Sequence, residues 1–328
     1  MKSILTFTLL SSSLLFASSL KQTAIDAGLV AITSQSIQQF SPEKVELGKK
    51  LYFDPRLSKS GIISCNSCHN LAEGGDDGVE ASIGHGWTPN PHHINAPTVY
   101  NAVFFEKQFW DGRSPNLEDQ AQGPIQATPE MAATQEHVTK VVNSMPAYVQ
   151  EFQQAYGKAV TINFEKITDT IALFERTLVT PSPYDDFLNG DINALNQAQK
   201  DGLKTFIDLG CVSCHNGIAL GGSMNMINLF AEYKYMKTGD FKGDANAMVK
   251  VPTLRNIKQT APYFHNGKIW SLKDAIKEMA RIQLGKNLTE KETDSIESFL
   301  GSLDGRKPVI TIPLLPSSTQ TTPKPDMN

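Results

Sequence analysis

A mainly α-helical chain in two domains with long loops is what three features of the sequence predict. The pentapeptide C-x-x-C-H occurs twice, as Cys65-Asn66-Ser67-Cys68-His69 and Cys211-Val212-Ser213-Cys214-His215, 146 residues apart. Each copy follows a segment of helical periodicity and precedes a long loop and further helical segments, and neither sits in a β-α-β pattern. The length of 328 residues suits two domains of ordinary size.

C-x-x-C-H is the attachment sequence of a c-type haem. The two thiols add to the haem vinyl groups and the histidine ligates iron on one face. Two copies use all four cysteines and leave no thiol for a disulfide. A shared zinc site would need four Cys or His ligands, but the histidine directly after each pair favours haem. The sequence therefore predicts two covalent haems, one held by Cys65, Cys68 and His69, the other by Cys211, Cys214 and His215. The fold class is mainly α, two cytochrome c-like domains each around one haem.

Taken in order, residues 1–19 read as a cleaved secretory signal. Lys2 is the positive start, Ile4 to Phe16 the apolar and serine-rich run, and Ala17-Ser18-Ser19 the small residues before cleavage. The run is too short to span a bilayer comfortably, and no other stretch approaches that length. Export fits covalent haem attachment, which takes place outside the cytoplasm, so the expected location is the periplasm. The formal net charge of −4 points to no nucleic acid. Residues 20–180 are the first haem domain, 181–306 the second and 307–328 an extended tail rich in Pro, Ser and Thr.

A helix is expected over 41–53, with Ser41 as cap, Pro42 in the first turn and Val45, Leu47, Leu51 and Tyr52 on one side. Residues 70–98 are a loop rich in Gly, Pro, Asn and Asp, and long loops in compact domains are usually functional. Helices resume at Pro129 with Thr128 as cap, placing Glu130 in a first turn. Further helices are expected over 147–156 and 164–178, with Thr180-Pro181-Ser182-Pro183 as the domain boundary. In the second half, helices are expected over 196–209, from Ser271 and from Thr289, the last two under capping-box patterns. Residues 216–262 are loop-rich. The order of helix, haem motif, loop and helices in both halves is a weak internal repeat.

The opposite axial ligand decides what each haem does. From the residues alone, His85, His92, His93 and His265 compete as ligands, and Met279 is first a core residue on the apolar side of a helix.

The ordered motifs narrow this choice. Phe53-Asp54-Pro55-Arg56-Leu57, the first haem motif, Asn95-Ala96-Pro97-Thr98, Phe109-Trp110-Asp111-Gly112-Arg113, Gly123-Pro124-Ile125, Phe174-Glu175-Arg176-Thr177-Leu178, the second haem motif, Val251-Pro252-Thr253-Leu254-Arg255-Asn256 and Ala261-Pro262-Tyr263-Phe264-His265-Asn266-Gly267 run in that order. Together they resemble the bacterial dihaem cytochrome c peroxidases over nearly the whole mature chain. The resemblance implies a low-potential peroxidatic haem at His69, blocked at rest by His85. It implies Glu130 as acid/base residue, Gln120 as its pocket neighbour and Trp110 between the haems. The second haem, with His215 and Met279 as axial ligands, would receive electrons. Asn95, Thr260 and Pro262 match calcium positions, the last two through backbone carbonyls. Pro91-His92-His93 departs from the pattern by lengthening the loop after His85.

The implied reaction is reduction of hydrogen peroxide to water by two ferrocytochromes c. The donor would be a small cytochrome c or a cupredoxin, and the resemblance implies a homodimer without stable membrane insertion. The alternative is a non-enzymatic dihaem electron carrier or redox sensor. A related dihaem oxidase of protein side chains would carry tyrosine opposite the second haem, and Met279 argues against it.

Overall fold

The computed structural model describes residues 17–327. In chain order the helices are α1 (17–26), α2 (Pro42–Phe53), α3 (Cys65–Cys68), α4 (Leu117–Gln126), α5 (Gln135–Asn143), α6 (Pro146–Tyr156), α7 (Phe164–Glu175), α8 (Pro183–Asn189), α9 (Gln197–Leu209), α10 (Leu272–Leu284) and α11 (Glu290–Gly301). One antiparallel pair, β1 (Met224–Met226) with β2 (Met248–Lys250), interrupts the second long loop. Among the described residues no helix is long and apolar enough to cross a membrane. The expected signal lies mostly in residues 1–16, outside the described residues, and α1 runs through the Ser19 position.

The caps explain most helix starts. Ser41, Asn163, Asn196, Ser271 and Thr289 each accept the N–H three residues on, which satisfies an otherwise orphaned donor. Gly157 and Gly210 end their helices at φ of 94° and 92°, values that cost an L side chain strain.

Each half is organised around one crossed helix pair. In the first half α2 crosses α7 at Gly48, where a Cβ would lie 2.2 Å from Thr170 O and 2.8 Å from Phe174 Cβ. In the second half α9 crosses α11 at Gly202, where a Cβ would lie 2.0 Å from Ser295 O and 2.8 Å from Phe299 Cβ. The same close approach against an equivalent phenylalanine gives the internal repeat a physical form. The first pair carries a core of Leu51, Tyr52, Val138, Tyr148, Ile171 and Phe174, on which Cys65 packs. The second carries Tyr184, Phe187, Leu203, Phe206, Ile296 and Phe299, on which Cys211 packs.

The two ends of the described chain cross over. Ala17, Leu20 and Ala24 of α1 are buried in the second core, and Ile32 N–H donates to Asp185 Oδ1 at 2.7 Å. At the other end, Arg56 donates to Pro316 O at 2.7 Å and Thr319 Oγ1 to Ser144 O at 3.0 Å, while Ile310 packs on the first core. Each half is thereby strapped by a segment from the far end of the sequence.

Three expectations about helices are corrected. No helix opens at Pro129: residues 128–131 form a turn and α5 starts at Gln135 under a Thr134 cap. Ala132 takes a φ of 54°, and Met131 and Ala133 bond back to Pro124 O and Ile125 O of α4 rather than along their own segment. The helix expected over 164–178 ends at Glu175. Helix α4, with Pro124 inside it, was not expected, because the proline reads as a break; Asn116 caps it and Glu118 and Asp119 sit favourably in its first turn.

Candidate functional site

The first C-x-x-C-H forms the short turn α3, closed by Ser64 N–H donating to Ser67 Oγ at 3.0 Å. The His69 ring donates from Nδ1 to Pro97 O at 2.9 Å, which fixes the tautomer and leaves Nε2 free to coordinate. Buried Tyr52 donates to His69 O at 2.6 Å and holds the backbone. The second motif repeats the device: His215 Nδ1 lies 3.2 Å from Leu220 O. Burial holds His215 down at about 4, so its imidazole is neutral and able to ligate. Burial also pushes the thiols up, Cys68 to about 12 and Cys211 to about 11, and Cys65 beyond that. Cysteine pairs that pack on two separate cores do not come together as one shared zinc site. They suit covalent attachment of one haem to each half.

His85 lies on the loop that follows the first motif. Its N–H donates to Glu130 O at 2.7 Å, and its Nδ1 is buried without a hydrogen-bond partner. Gly84 makes the approach possible, since a Cβ there would fall 1.9 Å from Pro129 O. The turn that carries Glu130 therefore also carries the His85 loop. Burial raises the Glu130 carboxyl, with Arg113 and His92 opposing, and its charge reaches Cys68. Arg113 stacks on the Phe109 ring at 3.5 Å, and Phe109 in turn rests on Gly123 of α4. Gln120 lies half-buried on α4, to which the Glu130 turn folds back.

His215, Cys211, Cys214 and Met279 line one cavity with apolar walls that include Phe206, Leu254, Ile276 and Leu300. Met279 reaches it from α10, packed beside Tyr233, Tyr263, Ile269 and Ile282. The residues present fit a haem here: a neutral imidazole, a thioether and two cysteine thiols around an apolar space.

The same cavity runs to the boundary between the halves. Asn95, Thr260 and Pro262 line it together with Trp110 and His265. Asn95 donates its amide to Val79 O at 2.7 Å, which leaves Oδ1 as its free oxygen. Neither Thr260 O nor Pro262 O accepts a hydrogen bond among the described residues. Three such oxygens suit a hard cation. Buried Trp110 donates to Asn95 O at 2.9 Å and its own carbonyl accepts from Lys250 N–H at 2.7 Å, so it joins a first-half loop to β2. His265 is buried with both ring nitrogens unpartnered among the described residues, and burial holds it down at about 4.

Sequence reasoning missed Tyr52, the carbonyls of Pro97 and Leu220, and Lys250. The carbonyls carry no side-chain signal. Lys250 sits between valines in a stretch that reads as buried, which was the available clue.

The description "Di-haem cytochrome c peroxidase" belongs to the family model that matches residues 42–193. The cytochrome c551 peroxidase of Pseudomonas aeruginosa is 45% identical, with 90% of this chain and 88% of that protein covered. The cytochrome c551 peroxidase of Nitrosomonas europaea is 46% identical, with 98% of each covered. Among solved structures, a MauG-like protein associated with microbial copper homeostasis superposes with a TM-score of 0.70 at 23% identity, covering 84% of this chain and 93% of that one. That likeness shows the fold.

Proposed function

The chain belongs to the di-haem cytochrome c peroxidase family, and from that premise we propose that it reduces hydrogen peroxide to water with two electrons from ferrocytochrome c in the periplasm. It is an oxidoreductase of two haems. The observation that carries the reading is the paired device at His69 and His215: each imidazole commits Nδ1 to a backbone carbonyl, in a separate core, and frees Nε2.

The haems supply the redox chemistry when bound; the chain's residues bind, gate and move protons. Cys65 and Cys68 hold one haem, Cys211 and Cys214 the other. Met279, which lines the same cavity as His215, would give the second haem a thioether ligand, which favours the reduced state and suits electron entry. His85, with Nδ1 buried and unpartnered among the described residues, would close the first site by ligating its haem. Its tie to the Glu130 backbone means that withdrawing His85 also frees the turn carrying the acid/base residue. Glu130 would then take a proton from one peroxide oxygen and return it to the other, so that water can leave, with the electrons for O–O cleavage coming from the haems when bound. Burial raises its affinity for that proton. Gln120 orients the peroxide beside it. Trp110, bonded to both halves, offers a π-system between the haems. Asn95 Oδ1 with the carbonyls of Thr260 and Pro262 would hold calcium at the boundary, and an ion there would respond to the relative position of the two halves. The donor is a small cytochrome c or a cupredoxin, and the enzyme is a homodimer.

The test is peroxide-dependent oxidation of ferrocytochrome c, comparing fully oxidised with half-reduced protein in added calcium. Turnover only after half-reduction supports the reading with His85 as gate. Turnover in both forms removes His85 as an obligatory block. No turnover in either form, with both haems attached, overturns the enzyme in favour of an electron carrier or sensor.

A further inference from the structure

Lys250 ends β2 opposite Met224, and its backbone is fixed by the bond to Trp110 O at 2.7 Å. The residue is 3% exposed and lines the cavity that holds Cys211, Cys214, His215 and Met279. Its ammonium sits 4.6 Å from the Phe105 ring centroid. Among the described residues Nζ makes no hydrogen bond and no ion pair. Asp111 is the carboxylate that acts on it, and Asp111 is already bonded to Arg113 at 2.9 Å. A buried ammonium is costly unless a negative group answers it. The aromatic face of Phe105 answers only in part.

An anion from outside the polypeptide, admitted through this cavity, would answer that charge. A haem carries two propionate carboxylates, and the cavity already contains every side chain that would hold the second haem. Burial holds Lys250 down at about 7 in the bare chain, and a carboxylate beside it would raise that value. We propose that Lys250 is the cation that binds a propionate of the haem attached at Cys211 and Cys214, and that its charge sets that haem's reduction potential. The proposal rests on the two-haem reading above. A positive charge near the iron favours the ferrous state, because reduction removes one positive charge from the haem. The lysine also ties that propionate to Trp110 through one residue's backbone, at the path between the two haems.

The experiment compares Lys250→Met and Lys250→Arg with the parent two-haem protein. Haem per chain is counted by pyridine haemochrome absorbance, and each haem's midpoint potential is found by spectroelectrochemical titration. Lys250→Met is expected to shift the second haem roughly tenfold toward the ferric state, about 59 mV for a one-electron couple, and Lys250→Arg to stay near the parent. Attachment of only the first haem in Lys250→Met, with both attached in Lys250→Arg, also supports the proposal, since charge is then required for assembly. An unchanged second-haem potential in a two-haem Lys250→Met overturns it. So does an equal shift in both variants, or a shift confined to the first haem. A parent protein with haem at one motif only would overturn the two-haem reading itself, and is seen before any variant is compared.

Discussion

Replacing Gly202 by alanine tests the idea that the second half is organised by its helix crossing. The added Cβ would lie 2.0 Å from Ser295 O and 2.8 Å from Phe299 Cβ. Ordinary van der Waals contact begins at 3.4 Å, so α9 and α11 must separate by about 1 Å or more. Such overpacking typically costs about 1–3 kcal/mol. Separation also thins the contact among Leu203, Phe206, Ile296 and Phe299, all buried. Losing about 50 Å² of apolar burial there adds about 1.3 kcal/mol. Alanine's helix preference returns about 1 kcal/mol. The net expectation is a loss of about 1–3 kcal/mol. Gly301→Ala is the control, because its Cβ would meet Lys258 Cδ at an ordinary 3.5 Å; it should be neutral or gain up to about 1 kcal/mol. Urea unfolding of the two-haem protein, followed at the haem absorbance, measures both. A Gly202→Ala protein as stable as the parent, or a control equally destabilised, would refute the reasoning.

Glu130→Gln should lower peroxide turnover by about 10²–10⁴-fold while haem content stays at two, checked by steady-state kinetics and haemochrome. Since burial raises the Glu130 carboxyl, the base form is lost as pH falls through that raised value, so parent activity should drop toward acid pH. His85→Gly should turn over peroxide without pre-reduction, and a variant that still needs it would count against the gate. Glu175 is buried, with one carboxylate oxygen unpartnered, and burial with the Glu118 charge pushes it from 4.5 up to about 8. Between those values the folded chain holds a proton that the unfolded chain has lost. Stability from this group is therefore full below about pH 4.5 and declines toward pH 8, at up to about 1.4 kcal/mol per pH unit. Glu175→Gln should flatten that slope in denaturation curves measured across the range.

The site was unevenly legible. The haem cysteines and histidines are contiguous, so a five-residue pattern carries their chemistry. His85 stood as one of several competing histidines from the residues alone, and Met279, Gln120 and Glu130 took functional roles only through resemblance, because each meets its partners across tens of residues. The reason first given for Glu130, a helix first turn, fails: Ala132 at positive φ and the bonds back to α4 make it a turn residue instead. Pro124 hid α4 because a proline inside a helix reads as its end, although near the C-terminal end of a short helix it is tolerated.

The sequence by itself determined two haem attachment sites, helices flanking each, and the family. These follow from local grammar: contiguous ligands, caps and apolar spacing act within a few residues. Only the tertiary structure decided that Gly48 and Gly202 are the crossing points of equivalent helix pairs, that each end of the described chain straps the opposite half, and that Lys250 lies buried without an ion pair among the described residues. Those facts depend on which surfaces meet. Close approach and charge burial are properties of pairs of segments, and no single segment encodes its distance to another.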